Sequence, residues 1–224
     1  MFGIKFPKPG ASPVVMSYDA MRTAIGILGM ALPITLFVWS VLLVDSPFLL
    51  DSISSYYHTN MRDLFVGILC AVALFLFSYH GYDLLDFIAF KVAALGALGV
   101  AFFPAFIKSP VNPYIHIAPQ VSVYTNAMHY VCAGVFFVTI ALVSMFLFTK
   151  SGGQPVIGRK RTRNTVYVMC GVVILLCVAA MIVLDVMPDA SPVFAYDPVF
   201  WVETVALFAF AFSWLVKGSA LLAD

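Results

Sequence analysis

Charged side chains are scarce in this sequence, and their scarcity excludes a soluble protein. Asp, Glu, Lys and Arg make up 10% of the 224 residues, whereas soluble domains carry about 25%. Hydrophobic residues make up 62%, and the mean hydropathy is +1.01. Apolar runs of about 20 residues, the length of a membrane-spanning helix, recur along the chain. These runs lack the alternation of barrel strands, so we predict an all-α integral membrane protein.

Other absences narrow the choice of function. The four cysteines all lie inside apolar runs and form no Cys-x-x-Cys pair, so they indicate no disulfide framework. No histidine falls near the middle of a predicted span, which disfavours a bis-histidine haem. The middle of the spans also lacks charged residues, which counts against an ion-coupled transporter.

We predict a six-transmembrane-helix bundle that forms one domain over residues 1–224. The predicted spans are 23–44, 61–79, 85–107, 127–149, 166–184 and 200–216. Small residues on two spans predict close packing against neighbouring helices. They are Gly26 and Gly29 on the first span, and Ala93, Gly96 and Ala97 or Gly99 on the third. A basic loop at 159–163 either determines the topology or contacts anionic lipid headgroups.

The distribution of Lys and Arg predicts the orientation. With a cytoplasmic N-terminus, ten of the 12 basic residues fall on the inner side. They are Lys5, Lys8, Arg22, Lys91, Lys150, Arg159, Lys160, Arg161, Arg163 and Lys217. Only Arg62 and Lys108 fall outside. The positive-inside rule therefore predicts that both termini are cytoplasmic.

Polar residues concentrate at 51–63, between the first two spans, and at the outer ends of the fourth and sixth spans. We predict catalytic roles for Ser54, Asp63 and Glu203, metal ligation by His58 and His129, and ligand binding by Arg62, Tyr57 and Trp201. Glu203 is the only glutamate and lies in a membrane helix, where a charge needs a partner. The alternative for the charged residues is anchoring at the membrane boundary. If they form only a polar network, Arg62 is expected to pair with Asp63 or Glu203.

The block Ser52-Ile-Ser-Ser-Tyr-Tyr-His-Thr-Asn-Met-Arg-Asp-Leu-Phe-Val-Gly67 resembles one in small, uncharacterised bacterial multi-pass membrane proteins, best over the first three spans. Its Ser54-x-x-x-His58 is also similar to a motif of the CREST membrane hydrolases, the alkaline-ceramidase and adiponectin-receptor-like group. That resemblance implies a zinc ion, held by three histidines, which activates water for lipid amide hydrolysis. Ser54 would assist and His58 would ligate. The group has seven spans and an His-x-x-x-His near the last, for which Glu203 would have to substitute here.

Three functional classes are consistent with these patterns. The first is a protein whose outward-facing polar pocket binds a lipid headgroup or a small amphiphile. The second is an enzyme, a metal-dependent lipid hydrolase with zinc. The third is a non-catalytic structural or accessory subunit, either a homo-oligomer or a partner of other membrane subunits. Membrane lipids are the expected partners, and a short basic stretch beside a membrane gives little support for nucleic-acid binding.

Overall fold

The computed structural model describes residues 17–44, 48–81, 83–107, 114–115, 121–152, 155–188 and 191–222. Over these residues the chain forms six α-helices and no strand, which confirms the all-α prediction. The helices are α1 (Tyr18–Leu42), α2 (Arg62–Ser78), α3 (Leu84–Phe102), α4 (Val123–Leu142), α5 (Gly158–Val186) and α6 (Pro198–Lys217). A π-helical turn, Val143–Leu147, extends α4, and two short 3₁₀ helices lie at Ser54–His58 and Pro192–Tyr196.

Five of the helices are long and apolar enough to cross a membrane, namely α1, α3, α4 with its π turn, α5 and α6. The remaining helix, α2, has 17 residues. At 1.5 Å per residue it is about 25 Å long. The chain is therefore a multi-pass membrane protein.

The helices form a closed ring. Each one packs against its neighbour in the sequence, and α6 packs against α1. The hydroxyl of Thr23, near the start of α1, donates to the carbonyl oxygen of Gly218, just beyond α6, over 3.2 Å. We call the end at which α2, α4 and α6 begin the cap end. The opposite end, at which α1, α3 and α5 begin, is the basic end.

Small residues make two of the helix contacts close, as predicted. A Cβ added to Gly96 on α3 would lie 2.9 Å from the backbone nitrogen of Phe136 on α4. A Cβ added to Gly29 on α1 would lie 2.6 Å from the ring of Phe210 on α6. Because lipid provides little hydrophobic drive between helices, such backbone proximity is a main source of their attraction.

α3 is shorter than predicted because of a proline. The helix ends at Phe102 instead of residue 107, and Phe103 is extended. The ring of Pro104 disfavours helical backbone at the residue before it. The carbonyl groups at this end of α3 therefore need partners from elsewhere in the protein.

α5 is longer than predicted. It begins at Gly158 instead of residue 166, so the basic stretch 159–163 is helical and not a loop. Lys160 Nζ donates to the carbonyl oxygen of Lys150 over 3.1 Å, and Asn164 Nδ2 to that of Thr149 over 3.4 Å. These side chains bind carbonyls just beyond α4 and its π turn, and so tie the first turns of α5 to the end of the preceding helix.

An ion-pair clasp joins α3 to the end of α4 at the basic end. Lys150 Nζ lies 2.7 Å from Asp83 and 2.6 Å from Asp86, whose side chain is only 2% exposed. The hydrogen bond from Lys150 lowers the pKa of Asp83. The same bond, followed by the one to Asp86, raises the pKa of Lys150. Both shifts favour the charged forms of Lys150 and Asp83, which strengthens the ion pair between them.

Candidate functional site

The segment between α1 and α2 folds over the cap end of the ring, and we call residues 48–61 the cap. Seven consecutive residues of the cap, 53–59, are buried, and all except Ile53 have polar side chains. The polar ones are Ser54, Ser55, Tyr56, Tyr57, His58 and Thr59. Only five residues of the cap are helical, in the 3₁₀ helix Ser54–His58. Backbone groups outside regular helices must be bound by other protein groups at membrane depth. The polar side chains around the cap supply many of these bonds.

α6 holds the beginning of the cap at two points. The backbone N–H of Ile53 donates to Glu203 Oε2 over 2.6 Å, and that of Phe200 donates to the carbonyl oxygen of Asp51 over 3.1 Å. Glu203 is partly exposed and lies in the second turn of α6. The only glutamate of the sequence therefore caps the 3₁₀ helix from a neighbouring helix.

His129 joins three elements. Its Nδ1 lies 2.7 Å from the carbonyl oxygen of Phe103, and its Nε2 lies 3.0 Å from Ser54 Oγ. A carbonyl oxygen can only accept, so the imidazole proton is on Nδ1 when the ring is neutral. Nε2 is then the acceptor, and the hydroxyl of Ser54 donates to it.

The other predicted histidine binds the same stretch of backbone. His58 Nε2 lies 2.9 Å from the carbonyl oxygen of Ala105. Asn126 Oδ1 accepts from the backbone N–H of Phe106 over 2.7 Å. With His129, these side chains hold residues 103–106, the stretch that Pro104 keeps out of α3. Both histidines thus bind backbone carbonyls where α3 ends.

Arg62 has a partner that the sequence did not predict. Its Nη2 donates to the hydroxyl of Tyr57 over 2.7 Å, and its guanidinium carbon lies 4.4 Å from the centroid of the same ring. The expected pairing with Asp63 or Glu203 is wrong. Asp63 is exposed and makes no ion pair with any described residue. The tyrosine is the better partner for Arg62 because it offers both an acceptor and a ring face.

Two further hydrogen bonds stabilise the cap, one within it and one to α1. Ser55 Oγ donates to Asp51 Oδ1 over 2.5 Å. Ser40 on α1 donates to the carbonyl oxygen of Leu36 over 2.6 Å and therefore accepts from the hydroxyl of Tyr56, which is 2.5 Å away. Burial raises the pKa of Tyr56, so its hydroxyl keeps its proton as a donor. Sequence reasoning missed Ser40, a lone serine inside an apolar run.

The described residues do not offer the donor set that the expected zinc site needs. They contain no group of three or more His, Cys, Asp or Glu side chains arranged to hold a metal ion. Both ring nitrogens of His129 are hydrogen-bonded within the protein, and the ring of His58 is bonded to Ala105. Structural and catalytic zinc sites use at least three protein ligands. We therefore derive no step through a metal.

Two apolar grooves flank Trp201, whose side chain is 47% exposed. The groove between α5 and α6 has a volume of about 280 Å³ and is lined by Val173, Leu176, Cys177, Ala180, Trp201, Val202 and Val205. The groove between α1 and α6 has a volume of about 170 Å³ and is lined by Pro33, Ile34, Phe37, Phe200, Trp201, Thr204 and Phe208. Both lie on the outside of the ring in its cap half, where lipid chains contact the protein.

The chain matches no known family model, no curated protein and no solved structure. Its function must therefore be argued from its own geometry. That geometry combines a buried and bonded polar cap, a serine hydrogen-bonded to a histidine, and two apolar grooves beside Trp201.

Proposed function

We propose that this protein spans the inner membrane of a bacterial cell six times, with both termini in the cytoplasm and the cap end facing outward. α2 is the sixth span, since 17 residues are at the lower limit of span length. Charge supports the orientation. Among the described residues the basic end carries Arg22, Lys91, Lys150, Arg159, Lys160, Arg161, Arg163 and Lys217, and the cap end carries Arg62. Lys5, Lys8 and Lys108, which also entered the predicted charge count, lie outside the described residues.

Cysteine labelling distinguishes this topology from its inverse. We expect a membrane-impermeant maleimide to label Tyr196→Cys in intact cells and to miss Ile157→Cys. The two positions are 77% and 74% exposed and precede α6 and α5 respectively, at opposite ends of the ring. The unsubstituted chain measures the background from the native cysteines. After solubilisation both variants must label. Labelling of Ile157→Cys alone in intact cells would invert the topology, and labelling of both would change the number of spans.

The function we propose is the binding of a single amphiphile at the outward-facing end. Its chain lies in the groove between α5 and α6, and its headgroup lies against the cap. The observation that carries the proposal is the position of Trp201 and Glu203. Trp201 borders both grooves, and Glu203, two residues further along α6, binds the cap backbone. One helix turn thus joins an apolar groove to a polar surface, as an amphiphile requires. The cap also presents partly exposed Asp51 to a headgroup, and the first residue of α2, Arg62, is partly exposed beside it.

The groove can be tested by filling it. Val205→Trp is expected to lower the amount of amphiphile that co-purifies with the protein several-fold, because the indole occupies the groove. Native mass spectrometry and lipid extraction give the amount. The control is Val172→Trp, since Val172 is 41% exposed on α5 but does not line the groove. Equal amounts in the two variants, or no bound amphiphile in the unsubstituted protein, would contradict the proposal.

The alternative is a structural or accessory subunit, and one observation favours it. The polar groups around the cap bind one another or the backbone, as in a site that serves folding alone. The two functions predict different outcomes in the groove experiment. A structural subunit carries only bulk lipid in proportion to the membrane composition, and Val205→Trp leaves that composition unchanged.

A further inference from the structure

We propose that Ser54 and His129 form a nucleophile–base pair that accepts the acyl group of a lipid ester, with no metal ion. This inference rests on the proposed function, because the bound amphiphile supplies the ester. It also extends that function from binding to acyl transfer.

The first support is the geometry of the pair. Ser54 Oγ and His129 Nε2 are 3.0 Å apart, within the range in which a general base takes a hydroxyl proton. The carbonyl oxygen of Phe103, 2.7 Å from Nδ1, fixes the tautomer in which Nε2 is free of a proton. A third group that orients the base is a requirement of such pairs, and here the backbone provides it.

The second support is that Ser54 differs from three buried hydroxyls inside the long helices of the same protein. A buried serine or threonine in a helix usually donates to the carbonyl three or four residues earlier. Ser40, Thr204 and Ser213 all do so, with donor–acceptor distances of 2.6, 2.8 and 2.8 Å. Ser54 begins its 3₁₀ helix, and its hydroxyl is bonded to an imidazole 75 positions away in the sequence.

The third support is the position of the pair relative to the groove. Glu203 binds the N–H of Ile53, the residue directly before Ser54. The same carboxyl lies two positions from Trp201, which borders both grooves. Glu203 is therefore a positioning residue, which acts on Ser54 through the backbone of residue 53. α6 thus carries both the contact that holds residue 53 and a wall of each groove.

The reaction follows from these groups. Ser54 Oγ attacks the ester carbonyl carbon, and its proton passes to His129 Nε2. The bond from that carbon to the leaving alcohol then breaks, and the alcohol takes the proton from Nε2, which leaves an acyl-serine. Water attacks the acyl carbon, gives a proton to Nε2, and releases the carboxylic acid as Ser54 Oγ recovers that proton. A second alcohol in place of water yields a transferred ester.

The experiment uses two alkyl fluorophosphonates, one with a twelve-carbon chain and one with a methyl group. Each phosphonylates an activated serine and releases fluoride. In the purified full-length protein we expect both probes to modify Ser54, as read by peptide mass spectrometry. Ser54→Ala is expected to lose the adduct and Ser55→Ala to keep it, since Ser55 is bonded to Asp51 instead of a histidine. His129→Gln is expected to slow labelling at least a hundredfold, which is the usual contribution of a general base.

A second measurement tests the pair even if the His129→Gln variant does not fold. In the unsubstituted protein, the labelling rate should rise with pH only until the imidazole is neutral and then level off. A serine without a base instead reacts ever faster as pH rises. No adduct from either probe, an adduct on another residue, or a rate that never levels off would overturn the inference.

The two proposals fail in different ways. If Ser54 is labelled by the methyl probe but the long chain brings no advantage, the acyl-transfer pair stands and the groove proposal fails. If Val205→Trp depletes the amphiphile while neither probe labels Ser54, the binding function stands and the acyl-transfer inference fails.

Discussion

In the Glu203→Leu variant, the cap is expected to open about thirtyfold more often than in the unsubstituted protein. The substitution removes the acceptor of the Ile53 N–H and leaves that donor unsatisfied. An unsatisfied buried donor costs about 1–3 kcal/mol. At about 2 kcal/mol, the opening equilibrium shifts roughly thirtyfold. Hydrogen–deuterium exchange over residues 51–59 measures that shift directly.

Glu203→Gln is the matched control. Its amide oxygen keeps an acceptor of the same reach, so exchange over the cap should stay within a few-fold of that of the unsubstituted protein. The two variants separate an acceptor role from a role of the negative charge. Equal exchange in Glu203→Leu and the unsubstituted protein would show that the cap does not depend on α6, and the positioning role of Glu203 would be lost.

Gly96→Leu is expected to destabilise the contact between α3 and α4 by about 1–3 kcal/mol or more. In every rotamer of the new leucine, its Cβ would lie 2.9 Å from the backbone nitrogen of Phe136 and 3.0 Å from the carbonyl oxygen of Cys132. Backbone atoms cannot rotate away as a side chain does, so the helices must separate. The melting temperature in detergent should fall by several degrees.

Gly134→Leu controls for the loss of a helical glycine. A Cβ at Gly134 on α4 meets no atom within 4 Å. Replacing glycine in a helix otherwise favours the helix by about 1 kcal/mol, so this variant should melt at the same temperature or higher. A fall of equal size in both variants would show that the effect comes from the bulk of leucine in lipid and not from the contact between α3 and α4.

Much of the fold could be predicted from the sequence because the relevant signals are local. Apolar runs of span length, small residues at helical spacing and the distribution of Lys and Arg predicted the helices and the tight contact at Gly96. The gathering of Ser54, Glu203 and His129 at one end followed from counting spans, since alternate helices begin on the same side. Each of these inferences depends on residues close together in the sequence, or on whether a helix is an odd- or an even-numbered span.

The hydrogen-bond partners could not be predicted, because most of them are backbone groups. The carbonyls at Phe103 and Ala105 need partners only because Pro104 ends α3 early. The backbone N–H of Ile53 needs a partner only because the cap does not form a regular helix. A sequence shows which side chains can bind, but not which backbone groups are left over. Thus the histidines were expected to hold a metal ion and Glu203 to act in catalysis, and the structure gives these side chains backbone partners and Ser54.

The closed ring has a consequence for the order in which the protein is assembled. α1 is made before α6, yet Gly29 on its surface packs against the ring of Phe210 on α6. The ribosome adds roughly 5–20 residues per second, so α1 waits on the order of ten seconds for its partner. During that interval the face of α1 that carries Gly29 contacts only lipid or an insertion factor. α6 therefore completes the packing of a helix that entered the membrane well before it.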